Sequence, residues 1–354
     1  MKKLTVIDLF SGCGGMSLGL EKAGYDILYA NDLNSDALKT YKHNFPHVLV
    51  EQGDIANIEP KEVAHKINQN HVDVIVAGAP CQGFSTSGKR DPNDPRSKLF
   101  LHIIKFLKTF KPKIFVMENV SGLLSMDNGN TMKNILNEFS KSGYHVTHKI
   151  LSSSDFGVPQ MRNRVFIIGS SIPIDHEKIF PIPESSKLIS VKEAISDLDF
   201  IQLGDSSNTY SIAPQTKYQK TMRGNSKNLH NHESANHSQK IQDRFSLVRP
   251  GTDGRNTLKN SDTSKRDFYR LHPDKASRTV TTLPEDFIHY EKNRIPTVRE
   301  LARIQSFPDS FVFYGPRTTG GKQRKFSCPQ YTQIGNAVPP LLSEKIFRHI
   351  SKFL

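Results

Sequence analysis

Leu4-Thr5-Val6-Ile7-Asp8-Leu9-Phe10-Ser11-Gly12-Cys13-Gly14-Gly15 runs from an apolar, β-branched segment into a glycine-rich loop. Leu4 to Leu9 reads as a buried strand bounded by Ser11-Gly12. Gly14 to Ala23 suits a helix that Gly24 stops. A strand, a glycine loop and a helix in that order let the backbone approach a ligand at a helix N-terminus, where negative charge is favoured. The same loop is a plain tight turn in many α/β chains, so it gains weight only from its surroundings. Asp32 supplies some of that weight. It lies about 20 residues beyond the loop at the end of the next strand, where an acidic side chain can hold ribose hydroxyls.

The alternation continues outward. Ile27 to Ala30 is a second strand, and Asn34 is the N-cap of a helix through Tyr41. Val48 to Glu51, Val72 to Ala77 and Ile114 to Met117 are further strands, the last ending at Glu118. Lys98 to Phe110 and Thr131 to Lys141 are helices. Val146 to Leu151 and Val165 to Ile168 complete the strands. This spacing predicts an α/β, Rossmann-like fold with a mostly parallel sheet covered by helices. After Gly169 the pattern changes. Residues 170–294 are rich in Ser, Asn, Thr, Lys and Arg and hold few periodic elements. Regular structure returns at Thr297, which with Glu300 forms a capping box for a helix from Val298 to Ser306. Leu341 to Ile350 is a final amphipathic helix.

The chain of 354 residues carries a formal net charge of +13, enough to favour a polyanionic partner. Between Ser211 and Val280 there are 14 Lys/Arg against 6 Asp/Glu, so much of the surplus sits in one region. Cys13, Cys81 and Cys328 stand far apart with no C-x-x-C pair. That spacing suggests neither a disulfide framework nor a zinc site, and no metal is expected. With no signal-peptide pattern and no long apolar run, a cytoplasmic protein with no membrane association is expected.

Chemistry concentrates in three short runs. Gly78-Ala79-Pro80-Cys81-Gln82-Gly83-Phe84-Ser85 follows the strand Val72 to Ala77. It puts a cysteine just past a strand's carboxyl end, where α/β enzymes build their sites. A buried structural thiol is the bland alternative, but a Pro-Cys-Gln-Gly loop is a poor place for core packing. Glu118-Asn119-Val120 ends the neighbouring strand. In a parallel sheet Glu118 then reaches the same edge as Cys81. Gln160-Met161-Arg162-Asn163-Arg164 precedes the strand Val165 to Ile168. Its two arginines are two residues apart, so in extended chain they point the same way. By themselves these arginines read equally as a basic edge strand.

Taken together, these runs resemble the DNA (cytosine-5)-methyltransferase family of the bacterial restriction–modification type. The resemblance covers about residues 4–169 and 295–354. It implies the fold of S-adenosylmethionine-dependent methyltransferases, with a catalytic and cofactor-binding domain of residues 1–169 plus 295–354. A second, smaller target recognition domain would occupy residues 170–294. The implied cofactor is S-adenosyl-L-methionine, leaving S-adenosylhomocysteine as product, with no metal. Phe10, Ser11, Gly12, Cys13 and Gly14 would form its loop, Asp32 would bind the ribose and Leu33 would pack on the adenine. Asp54 and Ile55 would meet the adenine amine. Pro80, Asn336 and Val338 would complete the cofactor contacts. Catalysis would fall to Cys81, Glu118, Arg162 and Arg164: a thiolate adds to C6 of a flipped cytosine, an acid bonds N3, and C5 takes the methyl group. The loop Ser85 to Lys98, with Lys89, Arg90 and Arg96, could close over the base.

Double-stranded DNA is the implied substrate, with a cognate restriction endonuclease as functional partner and a monomer as the working form. Arg223, Arg244, Arg249, Arg255, Arg266, Arg270 and Arg278 fall in the recognition region, where arginine meets guanine edges or phosphate. Thr279 to Thr282 reads as a strand. His230, His232 and His237 read as solvated or phosphate-facing. Three other readings stay open: an RNA cytosine methyltransferase on the same scaffold, a catalytically silent DNA-binding protein and, more distantly, a nicotinamide oxidoreductase.

Overall fold

The computed structural model describes residues 3–80, 98–184, 188–257, 268–319 and 327–354. The chain divides into two compact units. One comprises Met1–Ser152, Asn163–Pro183 and Leu342–Leu354; the other comprises Ser153–Arg162 and Glu184–Leu341.

The first unit is built on seven strands: β1 (Thr5–Leu9), β2 (Asp26–Asp32), β3 (Leu49–Gln52), β4 (Val74–Ala77), β5 (Ile114–Val120), β6 (His145–Ser152) and, after the short β7 (Gln160–Met161) of the other unit, β8 (Asn163–Ser170). Their order is β3-β2-β1-β4-β5-β8-β6. The strands from β3 to β5 pair in parallel, while β8 runs antiparallel to both its neighbours. Chain order reverses between β1 and β4. Ligands of open α/β sheets bind at such a reversal, outside the carboxyl ends of the strands. The loops after β1 and β4 both leave the sheet there.

Helices α1 (Gly15–Lys22), α2 (Ser35–Asn44), α3 (Pro60–Lys66), α4 (Phe100–Phe110) and α5 (Asn130–Lys141) accompany the sheet. Asn34 caps α2, its side chain accepting from the N–H groups of Asp36 and Ala37. Strand β4 is apolar and buried along its whole length, as a buried parallel strand reads. Phe115 packs on Phe139 and Tyr144, with ring centroids 4.4 and 5.2 Å away. Helix α3, opened by Pro60, is an element that hydrophobic spacing had not marked.

The second unit contains short helices: α6 (Val191–Ile195), α7 (Lys217–Arg223), α8 (Gln239–Ser246), α9 (Gly254–Thr257), α10 (Val298–Ile304) and α11 (Gln330–Asn336). Helix α12 (Pro340–Ile350) leads back to the first unit. There Ser343 donates to the Met16 carbonyl at 2.8 Å, against Gly19, where any side chain would collide with Ser343.

The interior of the second unit is ionic as well as apolar. Helix α10 carries the predicted capping box of Thr297 and Glu300. All seven of its residues are buried. Arg303 forks onto Asp309 (2.8 and 2.7 Å) and also bonds Asp197, and Arg294 grips Glu300 through two bonds of 2.8 and 2.7 Å. Buried charges persist only with such pairing.

Four expectations change in three dimensions. Strand pairing continues through Val120, so Glu118 lies inside β5 rather than at its end. Thr279 to Thr282 is not a strand; pairing covers only Ser277–Arg278, and side-chain bonds fix the residues that follow. His232 is buried between the Thr297 hydroxyl and the Leu198 carbonyl, each 3.0 Å away, and burial pushes it down to about 4. It is therefore a neutral core histidine and does not face phosphate. Arg270 is also interior, for reasons given below.

Candidate active site

The glycine loop is held open by its own backbone. Phe10, Gly12 and Gly14 have φ of +57°, +56° and +95°. A bulky side chain at positive φ is rare and marks a conformation imposed by its surroundings. At Gly14 a Cβ would lie 2.4 Å from the Phe45 ring, so only glycine fits. At Gly12 a Cβ would meet nothing within 4 Å. Gly14 caps α1 with no side-chain bond to its first N–H groups. The Ser11 hydroxyl is buried and has no hydrogen-bond partner among the described residues. A shaped cradle with an uncapped helix start and an orphaned hydroxyl is suited to a polar, anionic ligand group.

Asp32 ends β2 beside this loop. One carboxylate oxygen accepts from the Gly12 N–H at 2.9 Å, the other from the Asn34 N–H at 2.8 Å. Leu33 is 68% exposed, an apolar side chain standing in the open next to that carboxylate. Asp54 is exposed and caps the short turn Ile55–Asn57, with Ile55 buried beneath. Cys13 is buried.

Beneath the loop lies a network that no motif announced. Tyr41, Ser17 and Asp8 form a chain of hydroxyl bonds, with Ser17 Oγ 2.7 Å from Tyr41 Oη and 2.5 Å from Asp8 Oδ2. Burial, opposed by the Ser17 hydroxyl and reinforced by Asp32, pushes the Asp8 carboxyl up to about 7. Its one sequence signal was an acid inside an apolar strand.

The catalytic candidates are arranged around β4 and β5. Ala77 pairs with Met117, which brings the chain leaving β4 alongside Glu118. The Asn119 side chain donates to the Ala79 carbonyl at 3.3 Å, tying that departing chain to β5. Pro80 is exposed just beyond. Cys81 and the run Gln82 to Ser97, with Lys89, Arg90 and Arg96, lie outside the described residues. Glu118 is buried, and Arg164 Nε on β8 reaches its Oε1 at 3.1 Å. The register explains this. Glu118 faces Phe166, and Arg164 is the diagonal neighbour two residues along on the same face.

Arg162 does not share that partner. It belongs to the second unit, where Nη1 and Nη2 donate to the carbonyls of Val280 (3.1 Å) and Gly335 (2.8 Å). Gln160 accepts from the Val280 N–H at 2.8 Å and donates to Gln305, which in turn donates to the Ala337 carbonyl at 2.6 Å. Asn336 is exposed between these two anchored carbonyls, and Val338 is buried beyond. The extended run thus sends its two arginines to different partners. A residue-spacing rule cannot foresee this because the chain passes from one unit to the other between Arg162 and Asn163.

The described residues offer one potential metal cluster, Asp199, His289 and Glu300. His289 Nδ1 accepts from the N–H groups of Glu291 and Lys292, so its Nε2 carries the proton and points it at Asp199. Arg294 occupies Glu300. Among the described residues no helix is long and apolar enough to cross a membrane.

The chain is similar to known proteins along nearly its whole length. Residues 4–352 match the model of the C-5 cytosine-specific DNA methylase family. The type II methyltransferase M.DdeI of Desulfomicrobium norvegicum is 42% identical, over 98% of this chain and 88% of that protein. M1.HphI of Haemophilus parahaemolyticus is 38% identical, over 99% and 87%. Among solved structures, a protein described as a prophage-encoded DNA modification methyltransferase from Escherichia coli superposes with a TM-score of 0.80, at 27% identity and 99% coverage of both chains. An Entamoeba histolytica methyltransferase, 19% identical with a TM-score of 0.64, shares the fold. With near-complete relatives at this identity, and a family model spanning the glycine loop, the cysteine run and the terminal helices, the chain belongs to the C-5 cytosine-specific DNA methylase family.

Proposed function

We propose that this DNA cytosine-C5 methyltransferase modifies one specific duplex sequence as the protecting half of a restriction–modification system. In this reading it works through a covalent cysteine adduct on a flipped base. S-adenosylmethionine, when bound, supplies a methyl group on a positively charged sulfur. The residues present fit that cofactor. The orphaned Ser11 hydroxyl and the uncapped start of α1 suit its carboxylate, Asp32 its ribose, and the exposed Leu33 its adenine face, with Asp54 and Ile55 at the adenine edge. Asn336, Val338 and Pro80 are assigned supporting cofactor contacts. Residues 1–169 plus 295–354 would carry catalysis, and residues 170–294 target recognition.

The chemistry assigned to the chain's own groups is as follows. The Cys81 thiolate attacks C6 and forms a C–S bond, which pushes electron density to C5. Glu118 bonds N3 and the 4-amino group, and a proton on its carboxyl neutralises the charge that develops on the ring. Arg164 holds that carboxyl in place. C5 takes the methyl group, loses its proton to a base, and expulsion of the Cys81 thiolate restores the ring. Arg162 contributes by fixing backbone around Val280 and Gly335.

The observation that carries this reading is the buried Glu118–Arg164 pair at 3.1 Å, beside a chain that Asn119 anchors two residues before Cys81. The test is duplex DNA containing 5-fluorocytosine at the target, with bisulfite sequencing first used to locate that target. Wild type is expected to form a denaturant-resistant adduct, and Cys81→Ala none. A Cys81→Ala protein that still methylates DNA defeats the covalent route.

A further inference from the structure

Of the seven arginines of the basic region that were candidates for meeting DNA, Arg244 is half-buried and Arg249 and Arg255 are exposed, and the rest separate further. Arg223 is engaged by Asp197 at 2.7 Å and lies 3.8 Å over the Tyr210 ring. Arg270 is buried. Its guanidinium donates to the carbonyls of Phe245, Val248, His289 and Lys292 and to Asn293 Oδ1, at 2.6 to 3.2 Å. It therefore binds α8 to the segment 289–293. Arg266 lies outside the described residues. Arg278 differs from Arg223 and Arg270 in being exposed, and its guanidinium is held in place.

Its order has three sources. The strand Ser277–Arg278 pairs with Gln160–Met161, and the Ser277 N–H donates to the Pro159 carbonyl at 2.9 Å. The residues just after it are clamped. Thr279 Oγ1 donates to the Met161 carbonyl at 3.0 Å, and Val280 is gripped at its N–H by Gln160 and at its carbonyl by Arg162. The Arg278 guanidinium itself stacks 3.8 Å from the Tyr269 ring centroid. Tyr269 is a fixed platform. Its strand pairs with Phe287–Ile288 on one side and with residues 251–254 on the other, and the buried Arg270 locks the next position.

Stacking occupies the face of a guanidinium and leaves its edge N–H groups available, in a fork that matches two adjacent acceptors. A long side chain held in one pose loses little further entropy on binding. Met161, 51% exposed, is the register partner of Arg278 and stands beside it.

We propose that Arg278 is a pre-oriented DNA contact of the recognition segment, its free edge taking a paired acceptor. Guanine O6/N7 and the oxygens of a phosphate both offer that chemistry. The proposal rests on the family's DNA substrate.

The test uses wild type, Arg278→Ala and Tyr269→Leu on duplexes carrying the mapped target and on a library with its positions randomised, read by bisulfite sequencing. DNA and cofactor kinetics are taken at several salt concentrations. Arg278→Ala is expected to lower kcat/KM for DNA about tenfold or more while cofactor KM stays within about twofold. Tyr269→Leu, which leaves the guanidinium intact, should move DNA kinetics the same way by about threefold. Relaxed sequence choice at one G·C pair identifies a base edge. A uniform loss, with the salt slope shallower by about one, identifies a phosphate. An Arg278→Ala enzyme with wild-type DNA KM, target spectrum and salt slope overturns the proposal. If that variant does not fold, a Tyr269→Leu enzyme with wild-type DNA kinetics overturns it instead. Wild-type enzyme inactive on every duplex would remove the DNA reading itself, whereas an active wild type with an indifferent Arg278→Ala removes this contact alone.

Discussion

Asp8 shows how one residue can carry a cost that its neighbours make tolerable. It is fully enclosed, with the Ser17 hydroxyl against its carboxyl and the Tyr41 hydroxyl beyond. Because burial holds its carboxyl up at about 7, the native state binds more protons than the unfolded chain between the ordinary carboxylate range and that value. Stability then falls as pH rises through this window. Asp8→Asn keeps an acceptor for Ser17 and removes the titration. Relative to wild type it is expected to gain on the order of 2–4 kcal/mol between pH 5 and pH 8. Urea denaturation at four pH values checks this, and a difference that stays constant with pH refutes it. The association of Arg164 with Glu118 was legible in the sequence because the motifs fix residue types in order, and the structure pairs the two. The Asp8–Ser17–Tyr41 chain was not, since residues 8, 17 and 41 become neighbours only when α1 and α2 fold over β1.

Elements illustrate where local rules held and where they gave way. Asn34 and the Thr297/Glu300 box were readable because a cap depends on three or four consecutive residues. The extent of β5 was not, because its last residues are held by β8, a strand more than 40 residues downstream. Helix α10 is the strongest case. Its pattern showed a helix, yet nothing local says that Arg299 and Arg303 point inward. Arg303 bridges Asp197 and Asp309, and its charge holds the Asp309 carboxyl below its usual range. Arg303→Met takes the forked arginine from buried Asp309, which keeps the Tyr210 hydroxyl, while Asp197 keeps Arg223, and it is expected to cost about 3–5 kcal/mol at pH 7. The loss should shrink toward pH 4.5 as the Asp309 carboxyl, released from Arg303, takes up a proton. Chemical denaturation at both pH values measures it, and an equal loss at each would assign the effect to packing alone.

At the scale of the whole molecule, charge is the property that sequence reports most directly. A surplus of +13, concentrated in the region that carries Arg278, calls for a polyanion that releases counterions on binding. Raising salt from 50 to 200 mM is expected to weaken DNA binding by about a hundredfold or more, while cofactor affinity stays within about threefold. Fluorescence anisotropy on a target duplex and calorimetry with the cofactor compare the two; salt-insensitive DNA binding would show that the surplus plays no part. The sequence alone determined the alternating α/β plan, the order of the motif runs and the basic bias, because periodicity, residue order and net charge are properties of a linear string. The tertiary structure alone decided which arginines are exposed, which histidine is neutral, and which backbone carbonyls Arg162 holds. Those outcomes depend on burial and on hydrogen-bond partners brought from distant parts of the chain, and both are created only by folding.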